Sequence, residues 1–419
     1  MVEGVPVARS DRCGGIQVSW RHYICDARDG RIVCPIDIPS FQWESSGRQQ
    51  SFNTSTREMG DRSASNLTVP WTAVPADDPI GRNRMLDSTR RALCVCWKDD
   101  DTDDRIGDPV LWGVIGARQD RQSDTSFPLE SPLDMLSERI AVREGTFKDG
   151  YSTDTVSYNG LSYRAIMSDI GLLATSRKQG GELPIDWPYA NEKGTREKSS
   201  LHAWNVQNNK ADKLLTDIAN LVNGPDFAFE PYLSDQQHIR VRFVAGSDAD
   251  LGLYAGATPI ELTYYPGTGH LNDLQVSHAA PIQRWYASGA GTDEATITAY
   301  AEDMAEVVSR MDPQILRESA YSDTDTENVD VLKNHVRSRL AANKRKLIQM
   351  SADIDFSDTA AGGIRCSPAT LRPGMPATLH IGGFPSLPDG DYPGTIMKIS
   401  GNQTTKARIT FDVMDNPIQ

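Results

Sequence analysis

The chain has 419 residues, 24% charged and 38% apolar, which is a globular composition with room for roughly two to four domains and excludes a disordered polymer. A formal net charge of −14 argues against a dedicated DNA or RNA binder, whose surface carries a basic footprint. No apolar run approaches the ~20 residues that span a bilayer, so no membrane-spanning segment is expected, and Met1 to Gly15 holds no apolar signal core.

Ile16, Val18, Trp20, His22 and Ile24 alternate with Gln17, Ser19, Arg21 and Tyr23, the period of a half-buried strand. Asp29-Gly30 is a hairpin turn signal, and Arg31 to Ile36 is the return strand. Further strands are predicted at Gln42 to Ser46, Leu67 to Trp71, Arg91 to Trp97 and Val110 to Ile115. A helix follows, with Ser131 as its cap, Pro132 in first position, and Leu133, Leu136 and Ile140 on one face. Residues 1–145 are expected to form a β-barrel or sandwich with a closing helix.

Residues 146–325 read as mixed α/β. Tyr163, Ile166, Ile170 and Leu173 predict a helix over 161–175. Leu214, Leu215, Ile218, Leu221 and Val222 predict a second over 210–223, stopped by Gly224-Pro225. A hairpin over 226–244 sets Phe227 and Phe229 against Ile239, Val241 and Phe243. Further strands fall within 271–301, at Leu271 to His278, Ile282 to Ala287 and Ala295 to Ala301. The sequence is compatible with part of this segment completing the first module.

Ser322 to Asn328 is a polar break, and residues 326–419 hold a helix and a second β-module. Val329, Leu332, Val336 and Leu340 share one side of the helix. Its end is basic (Arg337, Arg339, Lys344, Arg345, Lys346), which complements the helix dipole or an acidic neighbouring subunit. Ile348, Met350, Ala352, Ile354 and Phe356 alternate without error, as do Ala407, Ile409, Phe411 and Val413. Between them, Ala377 to Ile381 and Tyr392 to Ile399 flank a Pro/Gly/Asp loop. This repeats the strand–loop–strand layout of Arg91 to Trp97 and Val110 to Ile115. The expected fold class is α+β, predominantly β, with two similar β-barrel or split-barrel modules flanking a mixed middle region.

Motifs for chemistry are lacking. There is no HExxH, GxSxG, P-loop or dinucleotide fingerprint, and Gly267-Thr268-Gly269 and Gly289-Ala290-Gly291 read as turns. Asp99, Asp100, Asp101, Asp103 and Asp104 invite a calcium loop, but an EF-hand begun at Asp99 needs Gly and Glu where Asp104 and Val110 stand, so a solvated hairpin tip is expected. The six cysteines contain no CxxC pair, and Cys94 and Cys96 point to one face of their strand as reduced, packed thiols. His22, His202, His238, His270, His278, His335 and His380 are scattered. Trp187, Tyr189 and Trp204 suit a core or subunit interface better than a sugar platform. No catalytic, cofactor-binding or metal-ligating residue is assigned, and no cofactor is expected.

The order of elements resembles the baseplate or tail-tip hub proteins of tailed bacteriophages, in the form of minor tail proteins from siphoviruses of actinobacteria. The likeness rests on the opening strand pair His22-Tyr23-Ile24-Cys25-Asp26 to Gly30-Arg31-Ile32-Val33, the Trp43 strand, and the hairpin ending Trp112-Gly113-Val114-Ile115. It continues with Leu214-Leu215 through Gly224-Pro225-Asp226-Phe227-Ala228-Phe229, then Leu371-Arg372-Pro373-Gly374, Tyr392-Pro393-Gly394-Thr395-Ile396 and the alternating last strand. The resemblance implies a non-enzymatic virion protein of the tail, assembled in the host cytoplasm. It implies a homotrimer whose six barrels stack on a hexameric distal tail protein ring and contact other minor tail or tail-tip proteins. The channel then admits the tape measure protein and DNA only in transit. Three copies carry 3 × −14 = −42, which suits a channel wall that repels DNA. Longer members of that family add wall-degrading or carbohydrate-binding regions after the second barrel, so such activity is expected to lie in another protein. The competing functions are a host-surface carbohydrate-binding attachment protein and a wall hydrolase.

Overall fold

The turn expected at Asp29-Gly30 joins β1 (Ser19–Asp26) to β2 (Ile32–Ile36) in the computed structural model, which describes residues 19–54, 66–99, 105–221, 223–254, 256–324, 326–357, 366–415 and 417. Ile16 and Val18 lie outside the described residues. Gly30 sits at φ +82°, and a Cβ there would lie 2.0 Å from the Ile239 carbonyl oxygen, so the turn requires glycine. The chain then leaves this sheet. β3 (Gln42–Ser45) and β4 (Gln50–Asn53) form a hairpin. The path returns through β5 (Asn66–Pro70), helix α1 (Pro79–Met85), β6 (Arg91–Lys98), β7 (Asp108–Ile115), β8 (Gln119–Asp120) and β9 (Asp124–Glu130). The first sheet is antiparallel, in the order β2-β1-β6-β7-β9-β5, with β8 beside β9. Helix α2 (Pro132–Ser137) opens with a reciprocal cap between Ser131 and Asp134. It stops short of Ile140, which bridges to Lys210, while the Ala141 amide donates to the Asn209 carbonyl. Tertiary pairing overrides the helical period there.

The middle region follows in chain order as β10 (Thr155–Leu161), α3 (Tyr163–Ala174), β11 (Ile185–Asp186), β12 (Lys193–His202), α4 (Ala211–Ala219), β13 (Phe227–Leu233) and β14 (Ile239–Ala245). β10 pairs with β12, and β11-β14-β13 form a second small sheet. The β13–β14 register opposes Phe229 to Phe243 and Phe227 to Ala245, and all of these are buried, as the alternation predicts. Gly171 lets α3 approach Trp187, whose ring would lie 2.4 Å from a Cβ at that position.

This layer covers the outer face of β1, β6 and β7. Cys25, Cys94, Cys96 and Trp112 pack into it, while Leu93, Val95, Trp97 and Leu111 point into a second core on the other side. Coverage of both faces explains why Ala92 to Trp97 and Val110 to Ile115 read as nearly continuous apolar runs.

The second sheet begins with β15 (Ile260–Tyr265), β16 (Thr268–Gly269) and β17 (Leu271–Ala279). A small unit of β18 (Arg284–Ser288), β19 (Thr298–Glu302), β20 (Glu318–Ser322) and α5 (Val329–Asn343) interrupts it. It resumes with β21 (Leu347–Asp355), β22 (Pro376–Ile381), β23 (Gly390–Asn402), β24 (Lys406–Phe411) and β25 (Met414–Asp415). The order is β16-β15-β22-β23-β24-β21-β17, with β25 beside β21. One residue separates β16 from β17, so the chain links the two ends of this path. The strands within 271–301 therefore pair elsewhere than with the first sheet: β17 joins β21, and β18 and β19 join β20. Val413 lies past the end of β24 and is half exposed. The fold is α+β and predominantly β. β6–β7 and β22–β23 are both antiparallel pairs inside their sheets, but β15 runs parallel to β22 where β1 runs antiparallel to β6.

The hairpin β3–β4 completes the second sheet. β3 pairs with β23 in the register Ser45 to Ile399 and Asn402 to Gln42. At its other end the Thr54 amide donates to the Asn66 carbonyl at 3.3 Å, beside β5 of the first sheet. The two sheets consequently share one core, in which Leu93 and Val95 belong to the same cluster as Ile348 and Met350. An aromatic chain runs through it: Trp20 lies 5.5 Å from Phe41, 5.5 Å from Trp43 and 4.9 Å from Trp97, and Trp97 lies 5.7 Å from Phe356. Replacing Trp43 by Ala is expected to cost about 3–5 kcal/mol and to leave a single unfolding transition. Calorimetry read beside tryptophan fluorescence checks this; two transitions, one of them unmoved by the substitution, would contradict a shared core.

Candidate functional site

The tip of the β3–β4 hairpin is where the two sheets and the middle layer meet. Gly47, at φ +78°, turns its carbonyl to accept from the Phe229 amide at 3.1 Å. Arg48 pairs with Asp226 at 2.8 Å and lies 5.0 Å over the Phe227 ring. Gln50 accepts from the Trp112 amide at 3.1 Å and donates to the Phe229 carbonyl at 3.0 Å. Nearby, Glu230 on β13 accepts from Arg372 of the C-terminal segment at 2.5 Å and from the Tyr254 hydroxyl. Burial, with the Glu230 carboxylate adding, pushes the Tyr254 phenol far up, so it remains a donor. Each contact joins segments distant in sequence, and together they tie the two sheets to the middle layer.

Residues singled out by the sequence land in different environments. Cys94 and Cys96 lie side by side, sulfur to sulfur 3.8 Å, with Cys25 in the same buried cluster. Burial pushes the Cys25 and Cys94 thiols up, which keeps them protonated and inert. Cys13 and the acidic residues Asp100, Asp101, Asp103 and Asp104 lie outside the described residues. Asp99 accepts from the Trp97 indole at 2.5 Å. Gly267 and Gly269 both sit at positive φ in the β15–β16 turn, as expected of turn glycines. His22 is buried against Phe41 and Phe52, at 5.0 and 5.8 Å, and burial, with Arg21 adding, holds its imidazole down at about 3. His238 and His335 pair with Asp235 and Asp323 at 2.9 and 2.7 Å. Among the described residues no three His, Cys, Asp or Glu side chains are placed to hold a metal ion.

The three aromatics do not form one surface. Trp187 packs in the core 4.9 Å from Phe243, and Tyr189 lies 6.3 Å from the same ring. Trp204 is exposed and stacks on His202. α5 ends at Asn343 with no basic residue in its last turn, so Lys344, Arg345 and Lys346 follow the helix and do not form its end. Lys344 pairs with Asp303 and Arg345 with Asp415, both at 2.8 Å, and Arg339 lies 4.1 Å over the Tyr321 ring. Arg337 has no ion-pair partner among the described residues.

Ile80, Phe147, Tyr151, Trp204 and others are exposed singly, but five large apolar side chains left in solvent fall in one stretch of chain: Tyr286, Tyr300, Val308, Met311 and Ile315. Trp285 and Ala287 mark β18 as a strand in the sequence, while Tyr286 between them is also aromatic and hides which face is covered. The available signal was the run of apolar residues in the segment between β19 and β20, where no periodicity gives them a buried face.

On the second sheet His380 is held between two carboxylates, Asp391 at 2.7 Å and Glu261 at 2.5 Å. The hydrogen bond to Asp391, then that to Glu261, raises its pKa above the ordinary value. The charged form is favoured by folding. Its contribution is therefore complete below the unfolded pKa of about 6.5 and is lost as pH rises through the raised folded value. An NMR titration of the imidazole should give a midpoint above the free value, and Asp391→Asn with Glu261→Gln should return it there; an unshifted wild-type midpoint would refute the clamp.

The sequence matches no known protein family and no curated protein. The structure is similar to the tail protein from Neisseria meningitidis MC58, at 10% identity and TM-score 0.44, over 93% of this chain and 96% of that one. It is similar to the 43 kDa tail protein of prophage MuSo2 from Shewanella oneidensis, at 10% identity and TM-score 0.45, over 94% and 98%. It is also similar to a chain of the phage P2 baseplate in its activated conformation with Ca, at 8% identity and TM-score 0.37, over 96% and 100%.

Proposed function

We propose that the protein is a structural component of a tailed-phage virion, a homotrimeric baseplate or tail-tip hub of the siphovirus minor-tail-protein kind. The reading starts from the ordered set of elements that resembles such hubs. The observation that carries it is the shared hairpin. Because β3 and β4 leave the N-terminal segment to complete the C-terminal sheet, each chain presents two β-modules at a fixed relative position. An adaptor needs that rigidity: three chains then offer six modules to a sixfold ring without each module finding its place separately.

In this reading the two modules are barrels stacked on a hexameric distal tail protein ring, and the middle region lies towards the tip beside other tail proteins. The channel passes the tape measure protein and then DNA, which an acidic wall repels. The protein is not an enzyme, and it acts in the virion tail after assembly in the host cytoplasm. The carbohydrate-binding alternative would need Trp187, Tyr189 and Trp204 on one surface, whereas Trp187 is in the core.

Light scattering of the purified chain, alone and with its ring partner, tests this. The expected species has three times the 46.1 kDa chain mass, and averaged images show a threefold axis. A stable assembly that lacks a threefold axis would end the proposal.

A further inference from the structure

The unit formed by β18, β19, β20 and α5 has one covered face and one bare face. Trp285, Ala287 and Ala299 meet Leu332, Val336 and Leu340 under the helix. On the opposite face the register sets Ala320, Tyr286 and Tyr300 in one row and Glu318, Arg284 and Glu302 in the next. The Tyr286 and Tyr300 rings lie 6.4 Å apart, 42% and 63% exposed. Arg284 bridges Glu302 at 2.7 Å and Glu318 at 2.9 Å, so that row carries one uncompensated negative charge. Arg284 also reaches the Met304 sulfur at 3.8 Å. The segment bearing Val308, Met311 and Ile315, 70, 87 and 78% exposed, thus starts beside this face. An exposed tyrosine pair with an apolar border and an ion-pair rim has the make-up of an interface centre, not of a solvated sheet.

The far side of the same unit is the outward stripe of α5. Val331, Asn334, Ser338 and Ala341 lie away from the buried Leu332, Val336 and Leu340, are exposed and bear no charge. Arg337 on the flank has no ion-pair partner among the described residues. One chain therefore carries an uncharged outward helix stripe and, across the unit, a bare sheet face, with Arg337 on the helix flank lining the same hollow as Tyr300 and Glu302 at the β19 edge. Because the patches lie on opposite sides, joining them is head-to-tail, the kind of contact that closes rings. The joint would also repeat the helix-on-sheet packing that each copy already makes internally.

We infer that the bare face is occupied by a second copy of this chain: α5 of one copy packs on the Tyr286/Tyr300 face of the next, with Arg337 against the Glu302/Glu318 row. The inference rests on the trimeric reading and names its contact.

The test uses the full chain with Tyr300→Asp, which spoils the sheet patch, and Ala341→Trp, which spoils the helix patch. Both positions are exposed, and circular dichroism with a melting curve confirms that each variant folds. In light scattering, wild type is expected as a trimer and each variant alone as a monomer. Their equimolar mixture is expected to show a one-to-one dimer, because each supplies the patch the other lacks. Arg337→Glu, which leaves the core untouched, should weaken association by about tenfold or more. Trimers retained by both folded variants overturn the inference and leave the trimeric reading standing. Loss of the trimer in Tyr300→Asp but not in Ala341→Trp overturns docking of α5. A wild-type chain that stays monomeric at all concentrations, alone and with its ring partner, overturns both readings.

Discussion

Insertion of the β3–β4 hairpin into the C-terminal sheet is the constraint on which the remaining structure depends. Its strands give Trp43 and Phe52 to a core drawn from strands of both sheets, among them β1, β6, β21 and β23, and its tip bonds to β13 of the middle layer. Removal of the hairpin would uncover β23, expose the aromatic chain at Trp20 and leave the Gln50 partners on Trp112 and Phe229 unpaired. Backbone groups in that position are costly to leave unmet. Folding of the N-terminal segment and of the C-terminal sheet are therefore one event. The contacts involved span nearly the whole chain, which makes their closure slow relative to local structure.

The same constraint sorts the molecule into rigid and attached parts. The first sheet has a core on each side, one shared with the second sheet and one with α3, α4 and β13–β14. The β18–β20 unit with α5 has its own small core, built from six buried residues. It enters and leaves the second sheet through β17 and β21, which are paired neighbours, so its two ends are held together by that sheet. A unit attached this way keeps its position without large contact to the remaining chain, and its outer surfaces stay open to a partner.

Local structure was legible where one face of an element is covered. Ile348 to Ile354 and Ala407 to Phe411 alternate because one side of β21 and β24 meets the core, and α3 and α5 show their periods for the same reason. The hydrophobic pattern says that a strand has a buried face and does not say against what. Gln42 to Ser45 shows its buried Trp43 plainly, yet its partner Ile399 stands far along the chain, and no turn or spacing points to it. The apolar density of β6 and β7 held the one hint of two-sided packing. Charge composition records no partner for the basic residues at and beyond the end of α5. Asp303 and Asp415 are remote in sequence and become their neighbours only through the fold. The Tyr286/Tyr300 face stayed hidden because aromatics occupy both phases of β18.

Charge decides what kind of contact copies of this chain can make. Arginines are spent internally on Asp26, Asp186, Glu192, Asp226, Glu230 and Asp353. These pairs leave the surplus of 14 negative charges on the surface. Copies that approach one another therefore repel over a Debye length of about 8 Å at physiological salt, and surface ion pairs of about 0–1 kcal/mol each do not offset it. Association has to draw on desolvated apolar area instead. The described surface concentrates such area on the β18–β20 unit and the segment beside it, where the net charge of the ion-pair row is one. The physical consequence is an assembly strengthened by salt, which screens the repulsion and leaves the apolar term in place. A contact built on complementary ion pairs would respond in the opposite direction.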